Sequence, residues 1–384
     1  MGDITRQHTE SPFSNDVLQK FSKETPFFLF SREKIKETYK HFQSCFPNAE
    51  IQFAMKANAE KEVLSILTEC GSGFEVASVY ELEMLKAINV DPKKIIYGTS
   101  VKPQFHIADF FAYGADRFSF DSLSELEKIA ANAPGSRVYV RVQVNDTGSV
   151  FKFSEKFGTQ KQNIVPYLLR ARELGLIPYG ISFHVGSQAS NPRAWEEAIE
   201  SIAPEIIALQ KEGIEIDALN IGGGFPCNLY TSSENQISLE EIAEHTYRAY
   251  NKLPYQPAIL LEPGRAMIAE AGVIVANVIA RIERTEHTWL FLDIGVYGGL
   301  FETMAYQGST RYRVTMLRQS FESGEAPFAL AGPTGDSPDV INREVFLPSD
   351  VGPGDKLIIH DTGAYSLVAV CPFNGFPKPE VYFI

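Results

Sequence analysis

The chain has 384 residues, a formal net charge of -13 and 44% hydrophobic residues, a composition typical of a globular protein with about two to three domains. The acidic balance argues against a broad nucleic-acid-binding face, and no apolar run reaches the about 18 residues needed to cross a bilayer. The polar N-terminus lacks the apolar segment of a signal peptide, so a cytoplasmic protein is expected. Four widely spaced cysteines indicate neither a zinc site nor a disulfide scaffold: Cys45, Cys70, Cys227 and Cys371.

Short apolar runs predict eight strands that alternate with helical patterns through the first two thirds of the chain. They lie at residues 51–54, 73–76, 94–97, 117–120, 137–142, 179–183, 217–221 and 258–261. Eight strand–helix units in one run favour an α/β fold of the (β/α)8 barrel type. A doubly wound open sheet is the competing architecture, because periodicity alone does not prove closure.

The pattern changes after residue 268. Segments rich in β-branched and aromatic residues, separated by Gly and Pro, predict a mostly antiparallel β domain, with strands at 272–282, 289–293, 311–317 and 356–360. We assign residues 26–268 to the barrel and residues 1–25 with 269–384 to the β domain. The apolar segment 26–30, at that boundary, is expected to form a strand of the β domain.

Reactive side chains of such a barrel lie at the C-terminal ends of its strands. These positions hold Lys56, Glu75, Arg141, His184, the run Gly222–Gly224, Glu262 and Arg265. The set suits a phosphorylated aldehyde cofactor better than a metal, because no two His or Cys residues have ligand spacing. No metal is therefore expected.

Each of three features has a chemical and a plain interpretation. Partial burial of Lys56 would lower its pKa and free the amine for a Schiff base, although most lysines at strand ends extend into solvent. The run Gly222–Gly224 would let backbone N–H groups close on an anion, or form a flexible turn. Glu262 could keep a pyridine nitrogen protonated, the electron sink that decarboxylation needs, or pair with Arg265 in a salt bridge.

The motifs, taken together and in order, resemble the fold type III pyridoxal-phosphate decarboxylases, the group of ornithine, arginine and diaminopimelate decarboxylases. They are AMKAN at 54–58, FHVGSQ at 183–188, GGGFP at 222–226, EPGR at 262–265, GVYG at 295–298, GPT at 332–334, DS at 336–337, GAY at 363–365 and FNGF at 373–376. GVYG and FNGF favour the ornithine branch. The segment 293–300 lacks the arginine that the diaminopimelate branch uses for a second carboxylate.

The resemblance implies an alanine-racemase-like barrel with a C-terminal antiparallel β domain, pyridoxal 5'-phosphate as cofactor, and a homodimer with shared active sites. It implies that Lys56 binds the cofactor, His184 stacks on its ring, Glu262 contacts its pyridine nitrogen and Arg141 lies near its hydroxyl side. Glu75 stands where the ornithine branch commonly has aspartate. The implied phosphate cradle comprises Ser187, Gly222, Gly223, Gly224, Gly264, Arg265 and Tyr365.

The resemblance also implies a substrate pocket formed by Tyr306, Gln307, Gly335, Asp336 and Phe373. Asp336 and Phe373 would reach across the dimer, and Lys156 and Asp339 match a pair that bridges the interface. Two positions depart from the pattern. Gly335 replaces a cysteine, the expected proton donor to Cα, and Gln307 replaces an aspartate that receives the distal ammonium in the ornithine branch.

The leading hypothesis is decarboxylation of an amino acid or amino-acid conjugate, through a Schiff base on Lys56 and a quinonoid intermediate, with a distal group other than a lone ammonium. One alternative couples decarboxylation to transamination, because Gly335 cannot donate a proton, and a related one is a racemase-like reaction. Another alternative is a catalytically silent regulator of a decarboxylase.

Overall fold

The computed structural model describes residues 12–21, 23–153, 155–227, 237–306, 312–318 and 324–384. The chain divides into two compact units, a central one of Ile35–Ile268 and a terminal one that joins the residues up to Lys34 to Ala269–Ile384. Residues 26–34, assigned to the barrel from the sequence, thus fall in the terminal unit, because their strand pairs with segments of that unit. Among the described residues, no helix is both long and apolar enough to cross a membrane.

The central unit is a closed parallel barrel. The first strand of the chain, β1 (Phe27–Phe30), belongs to the terminal unit. The barrel strands and a small ribbon follow it: β2 (Glu50–Ala54), β3 (Gly73–Val76), β4 (Ile95–Tyr97), β5 (Arg117–Phe120), β6 (Arg137–Arg141), β7 (Ser149–Phe151), β8 (Ile177–Ser182), β9 (Ser187–Ala189), β10 (Ala218–Asn220) and β11 (Ala258–Leu261). The barrel order is β2-β3-β4-β5-β6-β8-β10-β11, and β11 pairs with β2. The eight predicted strands and the closure are confirmed.

Helices connect the strands of the barrel. They are α2 (Arg32–Cys45), which enters from the terminal unit, α3 (Lys61–Glu69), α4 (Val79–Lys86), α5 (Gln104–Tyr113), α6 (Leu123–Asn132), α7 (Ile164–Glu173), α8 (Ala194–Lys211), α9 (Leu239–Tyr250) and α10 (Arg265–Ile268). Three of them begin after a serine whose hydroxyl accepts a hydrogen bond from the third residue of the helix: Ser78, Ser122 and Ser238. Such caps satisfy backbone donors that a helix leaves unpaired and fix where it starts.

The terminal unit is built on a mixed sheet. It contains α1 (Asn15–Gln19), β12 (Gly272–Glu283), β13 (Thr288–Leu292), α11 (Phe301–Ala305), β14 (Val314–Met316), β15 (Glu325–Ala331), β16 (Val340–Pro348), β17 (Lys356–Ile359) and β18 (Glu380–Phe383). The strand order is β14-β17-β12-β13-β15-β16, and β1 pairs with β12 and β18. Most pairs are antiparallel, as predicted, and two are parallel, β1 with β18 and β13 with β15. The segment 26–30 forms β1, as predicted.

Candidate active site

Lys56 lies immediately beyond the end of β2, in the single 3-10 turn Met55–Ala57. Its Nζ donates a hydrogen bond of 3.3 Å to Oε2 of Glu75, from the neighbouring strand β3. The Glu75 side chain is 5% exposed, whereas that of Lys56 is 50% exposed. A buried carboxylate therefore contacts the amine of a half-exposed lysine.

Gly98 makes room for the Glu75 carboxylate. A Cβ atom at position 98 would lie 2.3 Å from Oε1 and 2.5 Å from Cγ of Glu75, closer than van der Waals contact allows. The position directly after β4 must therefore lack a side chain for the longer glutamate to occupy this place. Glutamate is one methylene longer than the aspartate common in the ornithine branch, and no motif in the sequence pointed to the glycine that accommodates it.

Glu262 follows β11 and is held by Asn220 at the end of β10. Asn220 Nδ2 donates a hydrogen bond of 2.6 Å to Oε1 of Glu262, and Asn220 Oδ1 accepts one of 2.9 Å from the backbone N–H of Gly222. Burial, followed by the Glu75 carboxylate, raises the pKa of Glu262 above its ordinary value. A cationic partner at Glu262 would relieve this cost, since an opposite charge favours the ionised carboxylate.

His184 presents a neutral imidazole to the site. Its Nδ1 accepts a hydrogen bond of 3.0 Å from the backbone N–H of Gly186, so Nε2 carries the proton of the neutral ring. Burial, followed by the positive charges of Arg141 and Lys56, holds the pKa of His184 well below its ordinary value. The ring therefore offers a flat, uncharged face beside a carboxylate and two cations.

The run Gly222–Gly224 passes too close to its neighbours for any side chain. Cβ atoms built on these glycines would lie 2.3 Å from the carbonyl oxygen of Phe183, 2.5 Å from that of Glu262 and 2.2 Å from that of Gly186. Gly222 and Gly224 also have positive φ angles of 68° and 94°, which glycine adopts without strain. This backbone fits the role of an anion cradle because no side chain covers it, although the N–H of Gly222 already donates to Asn220 Oδ1.

Three phenylalanines of the segment 149–157 each lie beside a different side chain of the candidate site. The ring centroid of Phe153 is 5.0 Å from that of His184, edge to face. Arg265 lies 5.7 Å above the Phe151 ring, and Arg141 lies 5.1 Å above the Phe157 ring. Sequence reasoning missed this segment, and its only signal is the recurrence of phenylalanine in FKFSEKF.

Glu81 is a further acidic group that sequence reasoning missed. Its Oε2 accepts a hydrogen bond of 2.6 Å from the backbone N–H of Ala77, at the start of α4. Burial raises the pKa of Glu81 to about 7, and Glu75 adds to the rise while Lys56 opposes it. Its sequence signal was weak, because a glutamate three residues after Ser78 is an ordinary helix cap.

The other predicted cofactor residues have defined places. Ser187 begins β9 and pairs with Phe151 of β7. The carbonyl oxygen of Gly264 accepts a hydrogen bond of 3.1 Å from Met267 N, and Arg265, which is buried, begins α10. Tyr365 lies in the terminal unit and has a positive φ of 57°, so it belongs to a different unit from the remaining predicted cradle.

The predicted substrate residues lie in the terminal unit. The Tyr297 hydroxyl donates a hydrogen bond to Oδ2 of Asp336, and Phe373 stacks on Tyr297 with ring centroids 4.1 Å apart. Hydrogen bonding to Asp336 raises the pKa of Tyr297 to about 12. Tyr297 and Phe373 also line a cavity of about 290 Å³ in this unit. The Tyr297 hydroxyl therefore engages one oxygen of the carboxylate predicted to face the substrate.

Of the two positions that depart from the family pattern, Gly335 and Gln307, the structure describes only the first. Gly335 has open space around it, since a Cβ there would meet no atom within 4 Å. Gln307 lies outside the described residues, and Tyr306, just before it, follows α11 and is 38% exposed.

The predicted pair of Lys156 and Asp339 is not formed within the chain. Lys156 Nζ lies 5.0 Å above the Phe157 ring. Asp339 is buried, and its two oxygens accept hydrogen bonds from Val296 and Thr334 of its own unit, at 2.6 to 3.1 Å. A bridge between Lys156 and Asp339 across a dimer stays a prediction.

The strand ends of the barrel thus bring together an amine, two carboxylates, a neutral imidazole and a glycine cradle, namely Lys56, Glu75, Glu262, His184 and Gly222–Gly224. An amine of this kind can bind an aldehyde covalently. A buried carboxylate can hold a proton on a heterocyclic nitrogen, and the cradle can bind a phosphate. These residues fit a phosphorylated pyridine aldehyde.

Comparison with known proteins agrees with this chemistry. The chain is 33% identical to the lysine/ornithine decarboxylase of Selenomonas ruminantium over 92% of this chain and 88% of the relative. It is 30% identical to antizyme inhibitor 2 of Xenopus laevis over 96% of this chain and 83% of the relative. The crystal structure of the Paramecium bursaria Chlorella virus arginine decarboxylase bound to agmatine superposes with a TM-score of 0.88, at 28% identity, over 96% of this chain and 99% of that one.

Residues 32–269 match the family described as pyridoxal-dependent decarboxylase, pyridoxal binding domain. This match covers the whole barrel, including every strand-end residue described above. The chain therefore belongs to the pyridoxal-dependent decarboxylase family, with pyridoxal phosphate as its cofactor and amino-acid decarboxylation as its class of reaction.

Proposed function

We propose that this chain decarboxylates an amino acid or an amino-acid conjugate whose distal group is not a lone ammonium. The observation that carries the catalytic part is the strand-end arrangement in which Glu75 holds Lys56 at 3.3 Å and Asn220 holds Glu262 at 2.6 Å. The restriction on the distal group is supported by the identities of Gln307 and Gly335 in the predicted substrate pocket.

The chain's own residues have distinct roles in this proposal. Pyridoxal phosphate, when bound, supplies the electron sink for the electrons released as carbon dioxide leaves. Lys56 would hold the cofactor covalently through Nζ, an atom that can also carry a proton. Glu262 keeps a proton at the pyridine nitrogen, and the raised pKa of its carboxyl suits the sharing of a proton. His184 covers one face of the ring and excludes water from it.

The anionic end of the cofactor is assigned to the glycine run and its surroundings. Gly222, Gly223 and Gly224 supply an unobstructed backbone, and Arg265, buried to 5% exposure, supplies positive charge. Arg141 is assigned to the hydroxyl side of the ring, and its charge already acts on both His184 and Glu262. Ser187, Gly264 and Tyr365 complete the proposed cradle.

The substrate part of the proposal rests on charge. The relatives named above are lysine/ornithine and arginine decarboxylases, whose substrates carry a distal cation. Gln307 is neutral where the ornithine branch has aspartate, and the Tyr297 hydroxyl already engages one oxygen of Asp336. A lone ammonium would thus find less compensation than between two free carboxylates. An amide, a hydroxyl or an acylated amine would fit this pocket better.

The active form is proposed to be a homodimer in which Asp336 and Phe373 complete the partner's site. In support, Phe373 and Phe376 are 36% and 42% exposed within one chain. Aromatic rings exposed beside a cavity are what an interface that buries them would use.

A second candidate reaction follows from Gly335, which has no side chain to protonate Cα after carbon dioxide leaves. Without a donor at this position, the reaction would yield carbon dioxide and a carbonyl product, with the cofactor recovered as pyridoxamine phosphate. Within the part of one chain that the structure describes, no atom lies within 4 Å of a Cβ built at position 335, so no donor of the same chain replaces the missing side chain there, which favours this candidate. A catalytically silent regulator is a third candidate, favoured by the similarity to antizyme inhibitor 2.

One experiment separates these candidates. The purified protein is loaded with pyridoxal phosphate and offered basic amino acids, N-acylated and citryl conjugates, and carrier-tethered amino acids. Carbon dioxide, amine, carbonyl product and pyridoxamine phosphate are all measured. Carbon dioxide with amine supports decarboxylation, and carbon dioxide with stoichiometric pyridoxamine phosphate supports the coupled transamination. A colourless protein that stays free of cofactor at excess pyridoxal phosphate supports the regulator.

Borohydride reduction followed by peptide mapping tests the role of Lys56. The cofactor is expected on Lys56 in the wild type and on no lysine in Lys56→Ala. Lys61→Ala, which changes an exposed lysine on the adjacent helix α3, is the matched control and should be labelled normally. Labelling that persists in Lys56→Ala would overturn the assignment.

A further inference from the structure

Three side chains with metal-binding atoms meet on the surface of the barrel unit, outside the strand-end site. His41 and Cys45 lie four residues apart on α2, and Glu240 lies in the first turn of α9. His41 Nε2 is 2.8 Å from Oε1 of Glu240, and the ligand atoms of all three residues lie within 4.8 Å of one another. We propose that His41, Cys45 and Glu240 form a binding site for a zinc-class divalent cation, with water as the fourth ligand.

The donor set matches this class of cation. Zinc binds imidazole nitrogen, thiolate sulfur and carboxylate oxygen at about 2.0 to 2.3 Å, which places tetrahedral ligand atoms about 3.3 to 3.8 Å apart. Glu240 is 63% exposed on its side chain, so its carboxylate can move away from His41 by the small distance required. One thiolate and one carboxylate also balance the charge of the ion, whereas Mg²⁺ and Ca²⁺ disfavour sulfur.

The electrostatics of the group without metal point the same way. The cluster places two acidic groups around a single imidazole. The cluster also lies near the C-terminal end of α2, where the helix dipole favours positive charge. A divalent cation would displace the thiol proton and then lie between the Cys45 thiolate and the Glu240 carboxylate.

The backbones that carry the three ligands are fixed by buried aromatic contacts. Phe46 is completely buried, and its ring centroid lies 5.8 Å from that of Tyr247 on α9. Phe42, between the two α2 ligands, packs edge to face against Phe225 at 5.2 Å. Ligands held by packed elements lose less conformational entropy when they bind a metal. The prediction that no two His or Cys residues have ligand spacing overlooked His41 and Cys45, one helical turn apart, because their third ligand comes from a helix almost 200 residues away.

A metal-free ion pair between His41 and Glu240, with the thiol nearby by chance, is the competing explanation. The chain contains a matched control for it. His245 Nδ1 lies 2.7 Å from Oε2 of Glu196, a second histidine–glutamate pair. This pair is not part of any metal-ligand group of three among the described residues. No third ligand atom from the described part of the chain completes this pair, and its buried Glu196 is instead contacted by Arg193 and Arg248.

The test is titration of the cofactor-loaded protein with Co²⁺ as a spectroscopic probe and with Zn²⁺ as competitor. One equivalent of Co²⁺ should bind with the intense visible bands of tetrahedral cobalt and a thiolate charge-transfer band, both removed by one equivalent of Zn²⁺ and unaffected by excess Mg²⁺. Cys45→Ser should abolish the charge-transfer band. His41→Ala and Glu240→Gln should weaken binding by at least the roughly 10- to 100-fold seen when a metal site loses an outer-shell partner.

Control variants keep the test decisive. His245→Ala and Cys70→Ser should leave the cobalt spectrum and its stoichiometry unchanged. Zn²⁺ should also raise the thermal unfolding midpoint of the wild type but not of Cys45→Ser, since only a ligand bound to the native state stabilises it. A charge-transfer band that persists in Cys45→Ser, or the absence of saturable binding in the wild type, would overturn the site.

Discussion

Asn220 donates a hydrogen bond of 2.6 Å to the Glu262 carboxylate and, through its own oxygen, accepts one of 2.9 Å from the first glycine of the run Gly222–Gly224. The backbone N–H of Glu262 in turn donates to the carbonyl of Gly222 at 2.8 Å. The group assigned to the pyridine nitrogen and the backbone assigned to the phosphate are therefore coupled through a single amide. A displacement of Glu262 should therefore also shift the run Gly222–Gly224, and the reverse.

Asn220→Ala should weaken cofactor binding and activity together. A hydrogen bond to a charged group contributes about 1.5–3 kcal/mol, which corresponds to roughly a 10- to 150-fold loss in cofactor affinity. The dissociation constant for pyridoxal phosphate, measured by fluorescence titration, checks it. Asn132→Ala, which removes an amide that bonds only to the backbone of its own helix α6, is the control. An Asn220→Ala protein with unchanged affinity would contradict this coupling.

Gly98 and Glu75 should behave as an interdependent pair. Gly98→Ala places a Cβ 2.3 Å from Oε1 of Glu75 and should displace the carboxylate from Lys56. Glu75→Ala removes both Cγ and the carboxylate that this Cβ would meet. Gly98→Ala should therefore lower kcat/KM much less in the Glu75→Ala background than in the wild type. A double-mutant cycle measures the interaction, and residues in contact typically couple by about 0.5–3 kcal/mol. Strictly additive effects would show that Gly98 has no such role.

Phe153 should set the orientation of His184 rather than its chemistry. Phe153→Leu keeps much of the volume but loses the edge-to-face ring contact, which contributes about 0.5–1.5 kcal/mol beyond burial. The expected loss in kcat is roughly 2- to 13-fold, with the absorption spectrum of the bound cofactor also altered. Phe111→Leu, on the outer side of α5, should change neither quantity. If the spectrum stays the same and only thermal stability falls, Phe153 is merely a packing residue.

The barrel could be predicted from the sequence because most of its strand residues are buried. Runs such as Phe118–Phe120 and Ile259–Leu261 leave a strong apolar signal of the right length. The structure adds strands that carry no such signal. β7 and β9 are three residues each, and β16 includes the exposed polar residues Arg343 and Glu344.

The candidate site also contains residues that the sequence predicts and residues that it does not. The rule that reactive residues follow barrel strands is enough to find Lys56, His184 and Glu262. The residues that position them could not be found, because their roles depend on contacts between segments distant in sequence. Asn220 is recognised only by its distance to Glu262, and Gly98 only by the space that Glu75 occupies.

Glu81 should make the cofactor-free protein less stable as the pH rises. Its pKa is raised from 4.5 to about 7 in the folded state, mainly by burial. Between these values the folded state binds more protons than the unfolded state, so the free energy of unfolding falls with rising pH. Glu81→Gln removes this loss. At pH 8 its free energy of unfolding should exceed that of the wild type by on the order of 2–3 kcal/mol. At pH 4 it should have no such advantage.

Urea unfolding of the cofactor-free proteins across this pH range measures the effect. Glu83→Gln changes an exposed glutamate of the same helix, paired only with Lys86, and should follow the wild type. A stability difference between Glu81→Gln and wild type that does not vary with pH would contradict the titration.

Substrate preference should follow the charge of the distal pocket. Asp336 accepts a hydrogen bond from Tyr297, and Gln307 adds no charge, so a distal ammonium loses about one charge-assisted hydrogen bond. That loss of about 1.5–3 kcal/mol corresponds to roughly a 10- to 150-fold penalty for ornithine or lysine. Gln307→Asp combined with Gly335→Cys should restore activity on these substrates. The new side chain at position 335 enters open space, because a Cβ there meets no atom within 4 Å.

The neutral pair Gln307→Asn with Gly335→Ala is the matched control, since it changes the same positions without adding a carboxylate or a thiol. The kcat/KM for ornithine and lysine should rise in the first double variant and stay low in the second. The ratio of amine to carbonyl product should rise only where the cysteine is present, because of the residues compared at position 335 only cysteine has a side-chain proton to donate. Wild-type protein that decarboxylates ornithine above about 10⁴ M⁻¹s⁻¹, within the range of dedicated enzymes, would show that one carboxylate is sufficient.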